Sequence, residues 1–286
     1  MQIIDGKRIA DKIKDEIVAE ILLANNNDIH ATARPNLALI LVGNRADSEL
    51  YVSLKEREAK KVGVDTHIYK FSDNTPQAEI EETIKFLNND DMVDGILLQL
   101  PLPEKFNTDK IVELISPTKD VDRFHPENLK KLLQGEEKIL PPLGQIVLEI
   151  FEDIKYDPEG KSACVIANSE IFGETMKKIL EDRGVKTIIA SADDNDLAEE
   201  TIKADIIITA VGRAEFITKE YVKEGALIID IGITKTEEGI FGDVNAESVK
   251  DKAGYLTPVP GGVGPITIAT ALKNTLEIWK NKKPSR

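Results

Sequence analysis

Two successive series of strand-length apolar runs, separated by amphipathic helical stretches, constrain the fold of this 286-residue chain more than any other feature. In the first series, residues 37–42 are an apolar run of strand length, residues 94–100 read as another strand, and residues 64–71 alternate loosely enough for a third. Helical spacing fills the gaps. Ala46, Leu50, Leu54 and Ala59 give one stripe, ended by Gly63, and Ile80, Ile84 and Leu87 give another that starts at Thr75-Pro76. Strand, helix, strand, helix, strand predicts a parallel sheet with helices on its faces. An amphipathic helix marked by Ile9, Ile13, Ile17 and Ile21 comes first, followed by a polar connection over 25–34. From about Gly135 the pattern restarts, with a linking helix over 144–151 and a turn over 157–160. Strands are expected at 161–167, 185–190, 205–210 and 226–231, with helices at 175–183 and 197–202. The chain is long enough for two domains, and the second series reads as a nucleotide-type α/β domain whose first turn lacks G-x-G-x-x-G.

Charge and rare residues narrow the function classes. A formal charge of −14 argues against a general nucleic-acid binder, which needs a basic face, but leaves room for a dinucleotide held by backbone N–H groups. The single cysteine, Cys164, excludes an internal disulfide and a Cys-rich metal site, and its apolar surroundings read as buried filling. His30, His67 and His125 match no metal spacing. Acid–base chemistry therefore falls to Lys, Asp or Tyr, with no metal expected. The first residues, with Asp5, Lys7, Arg8, Asp11 and Lys12, have no signal-type apolar core, and no run approaches the ~20 apolar residues of a membrane span. A cytoplasmic location without a membrane partner is expected.

Four places carry potential chemistry. Tyr51 and Lys55 are four residues apart, so on a helix they rise from one face, either as a solvated pair or as a ring support beside a proton carrier. Gln99 ends an expected strand before Pro101, at the edge where open α/β sheets bind ligands. Lys119-Asp120-Val121-Asp122 reads as an exposed turn or as a polar lining. Thr257-Pro-Val-Pro-Gly-Gly-Val-Gly-Pro265 combines glycine freedom with proline stiffness, and suits a preformed floor for a planar ligand. Pro265 fits the first turn of a helix running to Trp279.

Together these segments resemble the methylenetetrahydrofolate dehydrogenase/cyclohydrolase family. Tyr51-(three)-Lys55, Asp94-Gly-Ile-Leu-Leu-Gln-Leu-Pro-Leu-Pro103, Lys119–Asp122 with Phe124-His-Pro126, Gly242-Asp-Val244 and the Thr257–Pro265 loop occur in that family's order across essentially the whole chain. The resemblance implies an N-terminal α/β catalytic domain (1–139, completed by a returning C-terminal helix at 266–286) and a Rossmann-like nucleotide-binding domain (140–265). It implies a homodimer that oxidises 5,10-methylenetetrahydrofolate with a nicotinamide cofactor and hydrolyses the methenyl product to 10-formyltetrahydrofolate. It makes Lys55 the principal catalytic residue, with Tyr51 packing on the pterin, Gln99 and Asp122 around it, and Leu100, Pro260, Gly261 and Gly262 lining the substrate. For the cofactor it implies Ala167, Asn168, Ser169, Ile171, Gly173, Ser191, Gly212 and Ile233.

The nucleotide half departs from the family pattern. Ala167-Asn168-Ser169 stands for Gly-Arg-Ser or Gly-Ala-Ser, Phe172-Gly173-Glu174-Thr175 for Val-Gly-(x)-Pro, and Ser191-Ala-Asp-Asp194 for a His-Ser-x-Thr stretch. Leu140-Pro-Pro-Leu143 replaces Pro-Cys-Thr-Pro, and Arg123 stands where glycine is usual, either disturbing the Asp122 loop or meeting the anionic folate tail. Family resemblance implies NADP, whereas the added acids lean toward NAD. A folate-binding cyclohydrolase with weakened or lost dehydrogenase activity is the alternative. An unrelated dehydrogenase or sensory binding module would show no folate affinity.

Overall fold

The computed structural model describes residues 1–26 and 33–282; the middle of the expected 25–34 connection, with His30, lies outside the described residues. In chain order the first elements are β1 (Gln2–Ile3), α1 (Gly6–Ala24), β2 (Asn36–Val42), α2 (Ala46–Val62), β3 (Asp65–Phe71), α3 (Gln77–Asn89), β4 (Gly95–Leu98), α4 (Thr108–Val112), α5 (Pro126–Leu133) and α6 (Pro142–Asp153). There follow β5 (Ser162–Ala167), α7 (Glu170–Glu181), β6 (Lys186–Ala190), α8 (Leu197–Thr201), β7 (Ile206–Ala210) and β8 (Leu227–Asp230). The last are β9 (Thr234–Thr236), β10 (Gly239–Phe241), α9 (Ala246–Val249), β11 (Tyr255–Leu256) and α10 (Val263–Lys282). Contacts divide the chain into two compact units: residues 11–142 with those from Ile268 onward, and Met1–Ala10 with Leu143–Thr267.

In the first unit a three-stranded parallel sheet runs β3-β2-β4. Central β2 is buried over Leu37–Val42, as both faces of a helix-covered parallel sheet require. Ile80, Ile84 and Leu87 of α3 are fully buried, the inner face that the spacing predicts. The chain enters β2, moves to β3 on one side, then crosses to β4 on the other. The carboxyl ends of β2 and β4 therefore flank a topological switch point, where such sheets leave a crevice. Helix α10 lies along α1 through Lys273–Glu16 at 3.2 Å and Lys280–Glu20 at 2.5 Å. That is the returning terminal helix.

The second unit holds a six-stranded sheet in the order β1-β11-β8-β7-β5-β6, with the described pairings parallel. β5 lies between β6 and β7, so it too adjoins a switch point. β1 pairs with β11, which draws the first ten residues into this unit, where the sequence divides the chain at 139/140 and 265/266 and leaves them with the other half. Helix α7 begins at Glu170, ahead of the expected 175, because Ser169 caps it: its Oγ accepts from the Phe172 amide at 3.3 Å. The β9–β10 hairpin and the short α4, α5 and α9 have no counterpart in the periodicity. Too few residues are involved for a repeat to show.

Candidate active site

Lys55 is the centre of the first unit's site, and the reason lies in the face α2 buries. Sequence spacing marks Ala46, Leu50, Leu54 and Ala59 as that face; of these the structure buries Ala59, together with Ser48, Val52, Lys55, Glu58 and Val62. Leu50 is 54% exposed, whereas Lys55 is 7% exposed. The inward face carries a lysine and a glutamate, so apolar periodicity finds Ala59 but misplaces the rest of the stripe. Gly63, at φ 82, then ends the helix in the left-handed conformation. Tyr51, one turn before Lys55 and half-buried, shares its side of α2.

Gln99 leaves the carboxyl end of β4, at the switch point. Its Oε1 accepts a hydrogen bond from Lys55 Nζ at 2.9 Å, while its Nε2 donates to the Leu100 carbonyl at 2.8 Å. The second bond fixes which amide atom faces the amine. Gln99 is thus an oriented acceptor, and Leu100 supplies the carbonyl that orients it.

Asp122 completes the group through a loop that behaves as a one-residue strand. Ile96 donates to Lys119 O at 2.7 Å and accepts from Val121 N at 3.2 Å, which sets Asp120 beside Ile96 in parallel register. Asp122 lies two residues beyond that bridge, close enough to Lys55 for their charges to act on one another. Gly95 makes this possible, since a Cβ there would sit 2.6 Å from Val121 Cγ2. Asn274 of α10 ties the loop down from the other side, donating to Val121 O at 3.0 Å and Leu140 O at 2.9 Å. Asp120 is buried and accepts from Arg123 N, His125 N and Asn128 Nδ2, so 119–122 is not an exposed turn. Arg123 adopts φ 60, a conformation that glycine favours, which accounts for the usual family residue. Its buried guanidinium donates to Pro117 O at 2.8 Å and to Glu137 Oε2 at 2.5 Å. Arg123 therefore braces the loop from inside and is not offered to a substrate's tail.

The charges of this group act on one another. Burial depresses the Lys55 ammonium, with the Asp122 carboxylate pulling the other way. Burial pushes Asp122 up to about 6 despite the attraction of Lys55, and the charge of Asp120 adds to the rise. Tyr51 is raised by burial and by Asp47. A carboxyl whose folded pKa lies above its unfolded one loses stabilisation as pH climbs from about 4 to about 6. Asp122→Asn is therefore expected to stabilise the fold by up to about 3 kcal/mol above pH 6, a gain that vanishes below pH 4. Thermal melts of both proteins at pH 4 and pH 7.5 check it; a lower melting temperature at pH 7.5 would contradict the origin assigned to the shift.

The second unit contains the remaining expected residues. Ser169 caps α7, and the amides of that helix's first turn face the end of β5, the place of a dinucleotide's pyrophosphate. A Cβ on Gly173 would meet Ile189 Cγ2 at 2.9 Å; this glycine provides close helix–strand packing, the role of the third glycine in the usual fingerprint. Asn168 Nδ2 donates to Val211 O at 2.9 Å, spanning the switch point between β5 and β7. Gly212, at φ 68, has nothing within 4 Å of a Cβ position, so its backbone stays open to a ligand. Ala167 ends β5, Ser191 follows β6, and the exposed Ile171 and Ile233 lie on α7 and after β8. These features fit a dinucleotide's backbone-bound portion. The Gly242-Asp243-Val244 motif is internal bracing: Asp243 accepts from Thr209 Oγ1, Val211 N and Arg213 N, and a Cβ on Gly242 would strike Asp230 Oδ2. Pro260, Gly261 and Gly262 belong to this unit, closed by a Gly262 N to Pro258 O bond of 2.8 Å. Gly6 was not singled out by the sequence, yet a Cβ there would lie 1.7 Å from Gly262 O. Among the described residues no group of three or more His, Cys, Asp or Glu is placed to hold a metal, and no helix is long and apolar enough to cross a membrane.

Comparisons agree with this geometry over both units. Residues 4–122 match the catalytic domain, and residues 141–283 the NAD(P)-binding domain, of the tetrahydrofolate dehydrogenase/cyclohydrolase family. The bifunctional protein FolD of Nitratiruptor sp. is 46% identical over 288 residues, covering 100% of both chains. The crystal structure of the bifunctional enzyme FolD from Campylobacter jejuni superposes with a TM-score of 0.92 at 39% identity, over 99% of this chain and 100% of that one. The Trypanosoma brucei enzyme, solved with NADP and an inhibitor, gives 0.91 at 30% identity, covering 98% and 97%. A buried amine on α2, an oriented glutamine, a held aspartate and a separate nucleotide sheet thus occur in a chain that belongs to the tetrahydrofolate dehydrogenase/cyclohydrolase family.

Proposed function

We infer that this protein oxidises 5,10-methylenetetrahydrofolate to the methenyl form with a nicotinamide dinucleotide and hydrolyses that product to 10-formyltetrahydrofolate. The observation that carries the reading is the buried Lys55 amine hydrogen-bonded to Gln99 and coupled to Asp122. A fully solvated lysine titrates too high to exchange protons near neutrality, and burial corrects this. In this reading Tyr51 packs on the pterin and Asp122 holds it. Gln99 keeps Lys55 Nζ in one orientation, and Lys55 manages the proton of the water that attacks the methenyl carbon. Leu100, Pro260, Gly261 and Gly262 line the substrate. The nicotinamide ring, when bound, accepts the hydride, and that step chiefly needs alignment.

Ala167, Asn168, Ser169, Gly173 and Gly212 support the dinucleotide, with Ile171, Ser191 and Ile233 at the margins of that surface. Family practice favours NADP; the choice between NADP and NAD turns on the groups beyond β6. A cytoplasmic homodimer belongs to the same reading, and light scattering on the purified protein checks the dimer. Two assays test the activities: formation of reduced nicotinamide with methylenetetrahydrofolate, and loss of methenyl absorbance without nucleotide. Both signals are expected. Hydrolysis without reduction of either nucleotide would mean a cyclohydrolase alone, and silence in both would overturn the assignment.

A further inference from the structure

The cofactor surface beyond β6 is built for a different charge from the one a phosphorylated ribose carries. In open nucleotide sheets the end of the strand after the first helix meets the adenosine ribose. An acid there accepts from a free 2′-hydroxyl, and an arginine accommodates a 2′-phosphate. In this chain that strand is β6, and it runs into Ser191-Ala192-Asp193-Asp194. The turn is closed on itself: Ser191 N donates to Asp194 Oδ2 at 2.7 Å, and Asp194 N to Ser191 O at 3.2 Å. Asp193 is largely exposed, with no need to be there for packing.

The nearby cation is already engaged. Arg213 follows β7, and its Nη2 contacts Asp193 Oδ1 at 2.6 Å while its Nη1 donates to Ala192 O at 3.4 Å. Its guanidinium also lies 5.6 Å from the Phe216 ring centre, and its backbone N–H donates to Asp243 at 2.9 Å. Because β6 and β7 flank β5, this ion pair links the two strands on either side of the first turn. A 2′-phosphate arriving here would meet two carboxylates and an arginine whose charge is spent on one of them. A 2′-hydroxyl would find acceptors. Neutral Asn168, tied to Val211 O, adds no cation at the first turn.

We propose that Asp193, through its pairing with Arg213, makes this protein select NAD over NADP. The inference rests on the dinucleotide reading above and sharpens it: the acid works both as ligand for the ribose and as a repulsive element against the phosphate. Like-charge contact at close range is strong enough to give a preference of at least about tenfold even near the surface.

The test is binding rather than turnover. NADH and NADPH fluorescence titrations of the folate-free protein are expected to give a dissociation constant at least tenfold lower for NADH. Asp193→Ser frees Arg213, and NADPH affinity should then rise about tenfold while NADH affinity falls or holds. Adding Arg213→Ala should abolish that gain. Equal or tighter NADPH binding by the unaltered protein overturns the selectivity and leaves the enzymatic assignment standing. Failure of both nucleotides to bind overturns the selectivity together with the dehydrogenase half of that assignment. A rise in NADPH affinity that survives the double substitution would remove Arg213 from the explanation and overturn the pairing as its cause.

Discussion

Lys55→Met is expected to slow hydrolysis of methenyltetrahydrofolate by roughly 10²–10⁴-fold, the span that general acid–base groups contribute, while hydride transfer falls far less. The two steps ask for different things. Hydride loss leaves a cation that the folate nitrogens delocalise, so it needs alignment, which in the proposed reading Tyr51 and Asp122 still provide. Hydrolysis needs a proton moved at a defined atom, and the methionine thioether has none to give. The substitution keeps the volume of the side chain in a 7%-exposed position, so collapse of the site is not the expected cause of the loss. It does leave Gln99 Oε1 without its 2.9 Å donor, which water can replace. Separate assays of the two steps provide the comparison. Equal losses in both would contradict the division of labour.

The second large effect is expected at a glycine, a residue with no side-chain chemistry of its own. Gly6→Ala would place a methyl 1.7 Å from Gly262 O and 2.7 Å from Gly261 O. Both obstacles are backbone, held in turn by the Gly262 N to Pro258 O bond and, through Thr257 Oγ1, by the amide of Asp230 at 2.7 Å. Neither side can yield without moving α1 or the Thr257–Pro265 loop. A loss of about 2–4 kcal/mol is expected, the upper range for overpacking, because no side chain can rotate away. Urea unfolding at equilibrium measures it, and a change below 0.5 kcal/mol, on the order of an ordinary surface substitution, would show that the contact is not tight in solution. Dehydrogenation should fall with it, since the displaced loop carries Pro260, Gly261 and Gly262.

What the sequence makes legible follows from which physical signal each element leaves. Buried parallel strands such as β2 and β5 are continuous apolar runs, and α3 keeps Ile80, Ile84 and Leu87 on one side; these are readable without coordinates. Helix α2 misleads because Lys55 occupies the inward face and Leu50 the outward one. The same inversion marks the loop at 119–122, where the polar string suggests exposure and Asp120 is buried under three donors. Gly6, Gly95 and Asn274 leave no local signal at all. Their roles depend on chain segments brought beside them by the fold, at Gly262, Val121 and Leu140. The motif order names Lys55, Gln99 and Asp122, and what brings them together is the burial of Lys55 on α2, its hydrogen bond to Gln99 and its charge coupling to Asp122.

Burial makes the Lys55 amine less basic, and the proposed proton transfer depends on it. Nuclear magnetic resonance titration of ε-¹³C-labelled lysine, with the Lys55 signal assigned by its loss in Lys55→Met, measures this directly in the folate-free protein. Lys55 is expected to titrate clearly below the ordinary lysine value of about 10.4, and to fall further when Asp122→Asn removes the carboxylate that opposes the shift. A Lys55 signal that titrates with the exposed lysines, and ignores the change at Asp122, would contradict the account at its root.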